Sequence, residues 1–163
     1  FPGYDLFAHV RHHGLPSPLL DWSRSLYVAA YFAFATADKN AEGVAIYAYV
    51  ERPGGMKLSS SDHAQIVVAG PNVRTHQRHF RQQSCYTMSV HYKEGEWHYV
   101  PHHEGITPGA AQDRIFKFTM PIECRMQVLS ELDRHNLNAY SLFGTEEALM
   151  QTLWFREINE MAL

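Results

Sequence analysis

The stretch His12-His13-Gly14-Leu15-Pro16-Ser17-Pro18-Leu19-Leu20-Asp21-Trp22-Ser23, followed at once by an uncharged run over residues 25–37, constrains this chain more than any other. Polar, ionisable and turn-forming residues crowd together, and an apolar segment stands directly behind them. Gly14 admits a positive φ and ends a preceding helix at little cost. Pro16 and Pro18 fix their own φ and push Leu15 and Ser17 toward extended conformations. Asp21 or Ser23 is placed to cap the helix that begins near Arg24, accepting hydrogen bonds from its unpaired N–H groups. The pattern is that of a loop held in a fixed shape between two packed elements. It reads equally as a rigid connection whose His and Asp satisfy the backbone and as a ligand site built from the same side chains.

Length and composition bound the alternatives. The 163 residues suit one domain over 1–163. A 45% apolar share and a 13% aromatic share are ample for a packed core. A formal charge of −3 with eleven His residues carries no nucleic-acid stripe. Cys85 and Cys124 stand far apart and form no paired metal motif, which suits a reducing, cytoplasmic setting. Apolar runs are too short and too broken to span a bilayer, so no membrane partner is expected.

Along the chain, residues 5–13 predict a helix capped by Asp5, with Leu6, Phe7 and Val10 inward and His12 and His13 in its last turn. Residues 25–37 predict a helix apolar nearly all round, hence buried. Residues 44–50, β-branched and aromatic, predict a central strand. Residues 59–69 predict a short helix with Ser61 or Asp62 as its cap. Residues 73–81 carry Arg74, His76, Arg78, His79 and Arg81. They read as a solvated loop or as an anion clamp, since arginine grips phosphate oxygens in a two-pronged fork. Residues 85–92 alternate as a half-buried strand, and Trp97, Tyr99 and Pro101 form its returning partner. A loop over 102–113 and a strand over 115–120 follow. Residues 121–135 predict an amphipathic helix, with Ile122, Met126, Leu129 and Leu132 inward and Asn136 closing it. A final helix is capped by Thr145 and buries Leu149, Leu153 and Ile158. The sum is an α+β domain, a mostly antiparallel sheet with packed helices.

The residues 12–23 and the helix carrying Val28-Ala29-Ala30-Tyr31-Phe32-Ala33 resemble the FRG domain family, whose pattern runs Q-H-x-G-L-P-T-R-L-L-D-W-T and then an apolar A-x-x-F-A helix. Residues 78–87 are similar to its R-x-x-x-Q-x-G-x-F-T segment, and residues 128–144 to its closing helix, turn and L-F-P. Arg11, Pro18, Ser84 and Gly144 replace the family's Gln, Arg, Gly and Pro. The F-R-G triplet is expected upstream, because this chain has only Phe1-Pro2-Gly3.

The resemblance implies a remotely ADP-ribosyltransferase-like fold in a bacterial or phage-associated protein. It further implies an NAD-type nucleotide pocket, with ADP-ribosyl transfer or NAD glycohydrolysis as its chemistry. Cleaving the bond to nicotinamide builds an oxocarbenium-like centre that a carboxylate stabilises. Asp21 is the candidate carboxylate, and Gln82 and Gln83 stand where the catalytic acid is expected and would orient ribose or acceptor. His13, Trp22, Ser23 and Arg78 are the candidate nucleotide-binding residues, Arg78 on phosphate. The acceptor is open. A non-catalytic nucleotide- or protein-binding module is the alternative, favoured by Gln at the acid position. A metal-dependent hydrolase is a third class. Adjacent His residues at 12–13 and 102–103 chelate poorly and no H-E-x-x-H occurs, so no metal is expected.

Overall fold

The computed structural model describes residues 6–7, 10–11, 15–38, 40–52, 63–69, 77–106 and 113–161, with side chains through 157. Asp5, His12, His13, Gly14, Ser61, Asp62, Arg74 and His76 lie outside these residues, and with them the expected first-helix cap and stop and part of the basic segment.

The elements in chain order are β1 (Leu20–Ser23), α1 (Leu26–Ala35), β2 (Gly43–Val50), β3 (Gln65–Ala69), α2 (Gln77–Arg81), β4 (Ser84–Lys93) and β5 (Glu96–Tyr99), then β6 (Arg114–Pro121), α3 (Arg125–Arg134), α4 (Ala139–Phe143) and α5 (Glu146–Met161). Short 3-10 turns cover His102–Gly105 and Ile122–Cys124. The architecture is α+β. The chain divides into two compact units, each assembled from three stretches: 1–22, 47–74 and 85–117 in the first; 23–46, 75–84 and 118–163 in the second.

In the first unit, β4 is the centre of the sheet. β3 runs antiparallel along it, Gln65 opposite Val90 and Ala69 opposite Tyr86. β1 pairs with β4 in the order β1-β4-β3, and β5 pairs with the distal half of β4, Tyr92 opposite Trp97. Glu94 and Gly95 both take positive φ, 54° and 87°, which is the two-residue turn whose twist matches such a hairpin. Tyr86 and Met88 pack with Leu19 and Ala69 into the core. The expectation of a half-buried β4 is corrected here, because Thr87 and Ser89 on its other face are buried too. Trp22 bonds to Thr87, and the 3-10 turn packs on Ser89. A Cβ on Gly105 would stand 2.8 Å from both Ile66 Cγ1 and Ser89 Oγ, so only glycine lets the turn sit this close.

The helix expected over 59–69 gives way to a strand at Gln65–Ala69. Ile66-Val67-Val68 is a β-branched run, and pairing with β4 supplies its backbone bonds while Ile66 is wholly buried. β2 pairs β6 in a two-stranded sheet, with Tyr47 and Val50 exposed, in place of the expected central strand.

In the second unit, α1 packs on α3, and α4 on α2 and α5. Phe34, Leu129 and Leu132 form the core, joined by Ala30, Tyr31, Val44 and Phe155. The helix expected from Pro121 starts as a 3-10 turn and becomes α-helical at Arg125. Asn136 closes it with φ 58°. Asn138 then opens α4 through a reciprocal capping box with Ser141.

Asp133 receives Arg156 Nε at 2.9 Å and Asn138 Nδ2 at 2.8 Å. Burial raises its carboxyl pKa, but these hydrogen bonds outweigh burial and hold it below its ordinary value. Thr145 caps α5 by accepting from Ala148 N–H. The buried stripe of α5 differs from expectation. Ala148 and Thr152 face inward, while Leu153 is 45% exposed. Thr152 Oγ1 accepts from Tyr140 N–H at 3.0 Å and donates to Ala148 O, so small side chains allow a close helix approach. Phe34 has no accessible surface. Phe34→Ala should lower unfolding free energy by about 3–5 kcal/mol, read as a fall in the denaturant midpoint at unchanged slope.

Candidate functional site

In the second unit, the turn before α1 is fixed by hydroxyls. Ser23 Oγ donates to Gln82 O at 2.7 Å and accepts from Ser25 N–H at 3.1 Å. Ser25, and not Asp21 or Ser23, caps α1, its Oγ accepting from Val28 N–H at 3.3 Å. Ser23 is drawn away from the cap by its bond to Gln82. Arg24 N–H donates to Gln83 O at 3.0 Å. Gln83 takes φ 49°, closing α2 in the left-handed region that non-glycine residues seldom enter. Gln82 Nε2 donates to Leu142 O at 3.3 Å. The Arg78 guanidinium lies over the Phe143 ring, 4.6 Å from its centroid, and Phe32 meets the same ring edge-on.

Of the residues singled out in the sequence, Ser23, Arg78, Gln82 and Gln83 thus share one cluster. The Ser23 hydroxyl and the Gln82 amide bond to the chain itself.

In the first unit, Asp21 lies on β1 and pairs with Arg11 at 2.6 Å, its carboxylate half exposed. Trp22 Nε1 donates to Thr87 Oγ1 at 2.7 Å, and Thr87 Oγ1 lies 2.8 Å from His102 Nε2. Burial lowers the His102 pKa and favours the neutral ring, a hydrogen bond to the Thr87 backbone opposing it. An indole N–H only donates, so the Thr87 oxygen accepts it, and the bond between Thr87 Oγ1 and His102 Nε2 takes its direction from the ring tautomer. Tyr49 stacks on Trp22 at 5.7 Å. Burial and the facing Asp113 carboxylate push the Tyr49 hydroxyl well above its ordinary pKa, so it stays protonated. Asp113, itself buried, accepts from Arg52 N–H at 3.2 Å.

Asp21 and Trp22 are adjacent in this unit but point to different partners. His13 lies outside the described residues. Thr87 and Tyr49, which meet Trp22, carry no local sequence signal, and His102, which meets Thr87, stood out only as half of an adjacent His pair. Among the described residues, no group of three or more His, Cys, Asp or Glu is placed to hold a metal ion. No helix among them is long and apolar enough to cross a membrane.

Between the ordinary imidazole value near 6.5 and the lower folded value, the unfolded chain binds more protons at His102 than the folded chain does. Acidification through this window should therefore destabilise the protein. His102→Gln should flatten that step in melting temperature against pH, while Trp22→Phe, which strips Thr87 of its donor, should cost about 1–3 kcal/mol at all pH values.

No curated protein and no solved structure matches this chain. A family model does match, over about a quarter of the chain, and the matched stretch contains the proline turn, β1 and α1. Residues 2–42 are an FRG domain match, in agreement with the family that the sequence resembles.

Proposed function

We propose that this chain takes an NAD-type nucleotide and acts on it by ADP-ribosyl transfer or NAD glycohydrolysis, on a remotely ADP-ribosyltransferase-like fold. The observation that carries this reading is the FRG match over residues 2–42. Within that stretch the turn and α1 are held by fixed hydroxyl bonds, the preorganisation a ligand pocket needs. Asp21 is the carboxylate of this reading. Its partner among the described residues is the half-buried Arg11, and its own carboxylate is half exposed, within reach of a ligand's developing positive charge.

A second reading, nucleotide binding without turnover, has its own support. Gln82, at the position of the expected acid, gives its amide to Leu142 O and its carbonyl to Ser23, a structural employment. Gln83 supplies no charge either.

Thermal shift and nicotinamide release with NAD separate the two. The transfer reading expects a rise in melting temperature together with release of nicotinamide. A rise without release supports the binding module, and no rise contradicts both. Asp21→Asn should abolish release yet change stability by only about 0–1 kcal/mol, because its ion pair with Arg11 is solvent-exposed. Release at the wild-type rate from that variant would remove Asp21 from the chemistry.

A further inference from the structure

We infer that the guanidiniums of Arg78 and Arg81, set against Phe143 and Gly144, form a subsite for a diphosphate, the anionic centre of a nucleoside diphosphate or dinucleotide. The inference rests on the nucleotide reading for its ligand class and on separate observations for its location.

Arg78 and Arg81 stand three residues apart on α2, which places them on one helical face. Arg78 lays the face of its guanidinium on Phe143, 4.6 Å from the ring centroid. A stacked guanidinium keeps its N–H donors at the edge, where they can fork onto phosphate oxygens. Arg81 fills the space beside the Gly144 Cα. A Cβ there would collide with its guanidinium, and Gly144 takes φ 66°. The two guanidiniums also sit at the C-terminal end of α4, whose carbonyl dipoles favour positive charge.

Arg11, Arg134 and Arg156 each pair with a carboxylate. Among the described residues, Arg78 and Arg81 pair with none. Among the described residues, Arg81 Nη2 donates to Gln77 Oε1 at 3.5 Å. Arg24 adds a third exposed cation, its backbone tied to Gln83 just past the end of α2. Two like charges three residues apart on one helix repel one another, and a bound anion relieves that repulsion. A diphosphate offers one phosphate to each fork, and two bidentate contacts outweigh what a single carboxylate could give.

The test is calorimetric titration of the whole chain with inorganic pyrophosphate, ADP, NAD and adenosine. Pyrophosphate and ADP should bind, and adenosine should bind far more weakly than ADP. Arg81→Ala should weaken pyrophosphate by about tenfold or more, the loss of a charge-assisted contact. Arg81→Lys should recover part of it, and Arg134→Ala, remote in sequence and paired to Glu131, should bind as wild type. Arg78→Ala should act like Arg81→Ala. Since Arg78 is half-buried, the exposed Arg81 carries the test should that variant fail to fold. Absence of pyrophosphate binding to the wild-type chain, or equal binding by a folded Arg81→Ala variant, overturns the subsite. Pyrophosphate binding without NAD binding leaves the subsite standing and removes the dinucleotide reading. NAD binding that is indifferent to Arg81→Ala does the reverse.

Discussion

One hydroxyl determines how the strand at Leu20–Ser23 runs into the first long helix. Ser23 Oγ donates to Gln82 O and accepts from Ser25 N–H. The first bond spans most of the distance to β4 in sequence, and the second aims Ser25 at the helix it caps. With Arg24 N–H on Gln83 O, the backbone on both sides of Ser23 is tied to the end of α2. That end is strained, since Gln83 sits at φ 49°. Strain of this kind persists only where neighbouring bonds over-determine the conformation, and here three do: Ser23 to Gln82, Arg24 to Gln83, and Gln82 to Leu142. The placement of Arg78 and Arg81 follows, because α2 is too short to hold itself in water.

A second polar line runs inside the first unit. Trp22 Nε1 donates to Thr87 Oγ1, which also meets His102 Nε2, an imidazole whose pKa is lowered by burial. Tyr49 and Asp113 continue the buried polar character of this unit. Buried polar groups are tolerated when they are mutually satisfied, and they then fix one arrangement of the chain. Here Trp22 and His102 meet that condition for Thr87, which lets the second face of β4 close around it.

Local chemistry made much of the fold legible. The uncharged run over 25–37 reads as a helix and forms one at Leu26–Ala35, but it is not buried all round as expected: Val28 and Phe34 are buried, while Leu26 and Tyr27 are exposed. Alternation over 85–92 and the Lys93-Glu94-Gly95 turn gave the hairpin, and Asn136 gave the end of α3. What escaped was decided by partners distant in sequence. The sequence pointed to Asp21 or Ser23 as the cap; the bond from Ser23 to Gln82 draws Ser23 away, and Ser25 caps the helix instead. Gln65–Ala69 has the β-branched composition of a strand, yet Ser61 and Asp62 upstream resemble a helix cap, and pairing with β4 settles it. Size misled the reading of α5, where Ala148 and Thr152 face inward because close approach to α4 has no room for leucine. Of the seven residues the sequence put forward, His13, Asp21, Trp22, Ser23, Arg78, Gln82 and Gln83, the structure brings Ser23, Arg78, Gln82 and Gln83 into one cluster. The interior partners of Trp22 were not legible, since nothing near Trp22 in sequence names Thr87 or His102.

The most direct measurement is a crystal structure of the chain grown with ADP. The expected result is a diphosphate bridging the Arg78 and Arg81 guanidiniums beside Gly144, with Arg78 still stacked on Phe143. A diphosphate bound elsewhere on the chain, with both guanidiniums unliganded, would contradict the nucleotide site assigned to this cluster.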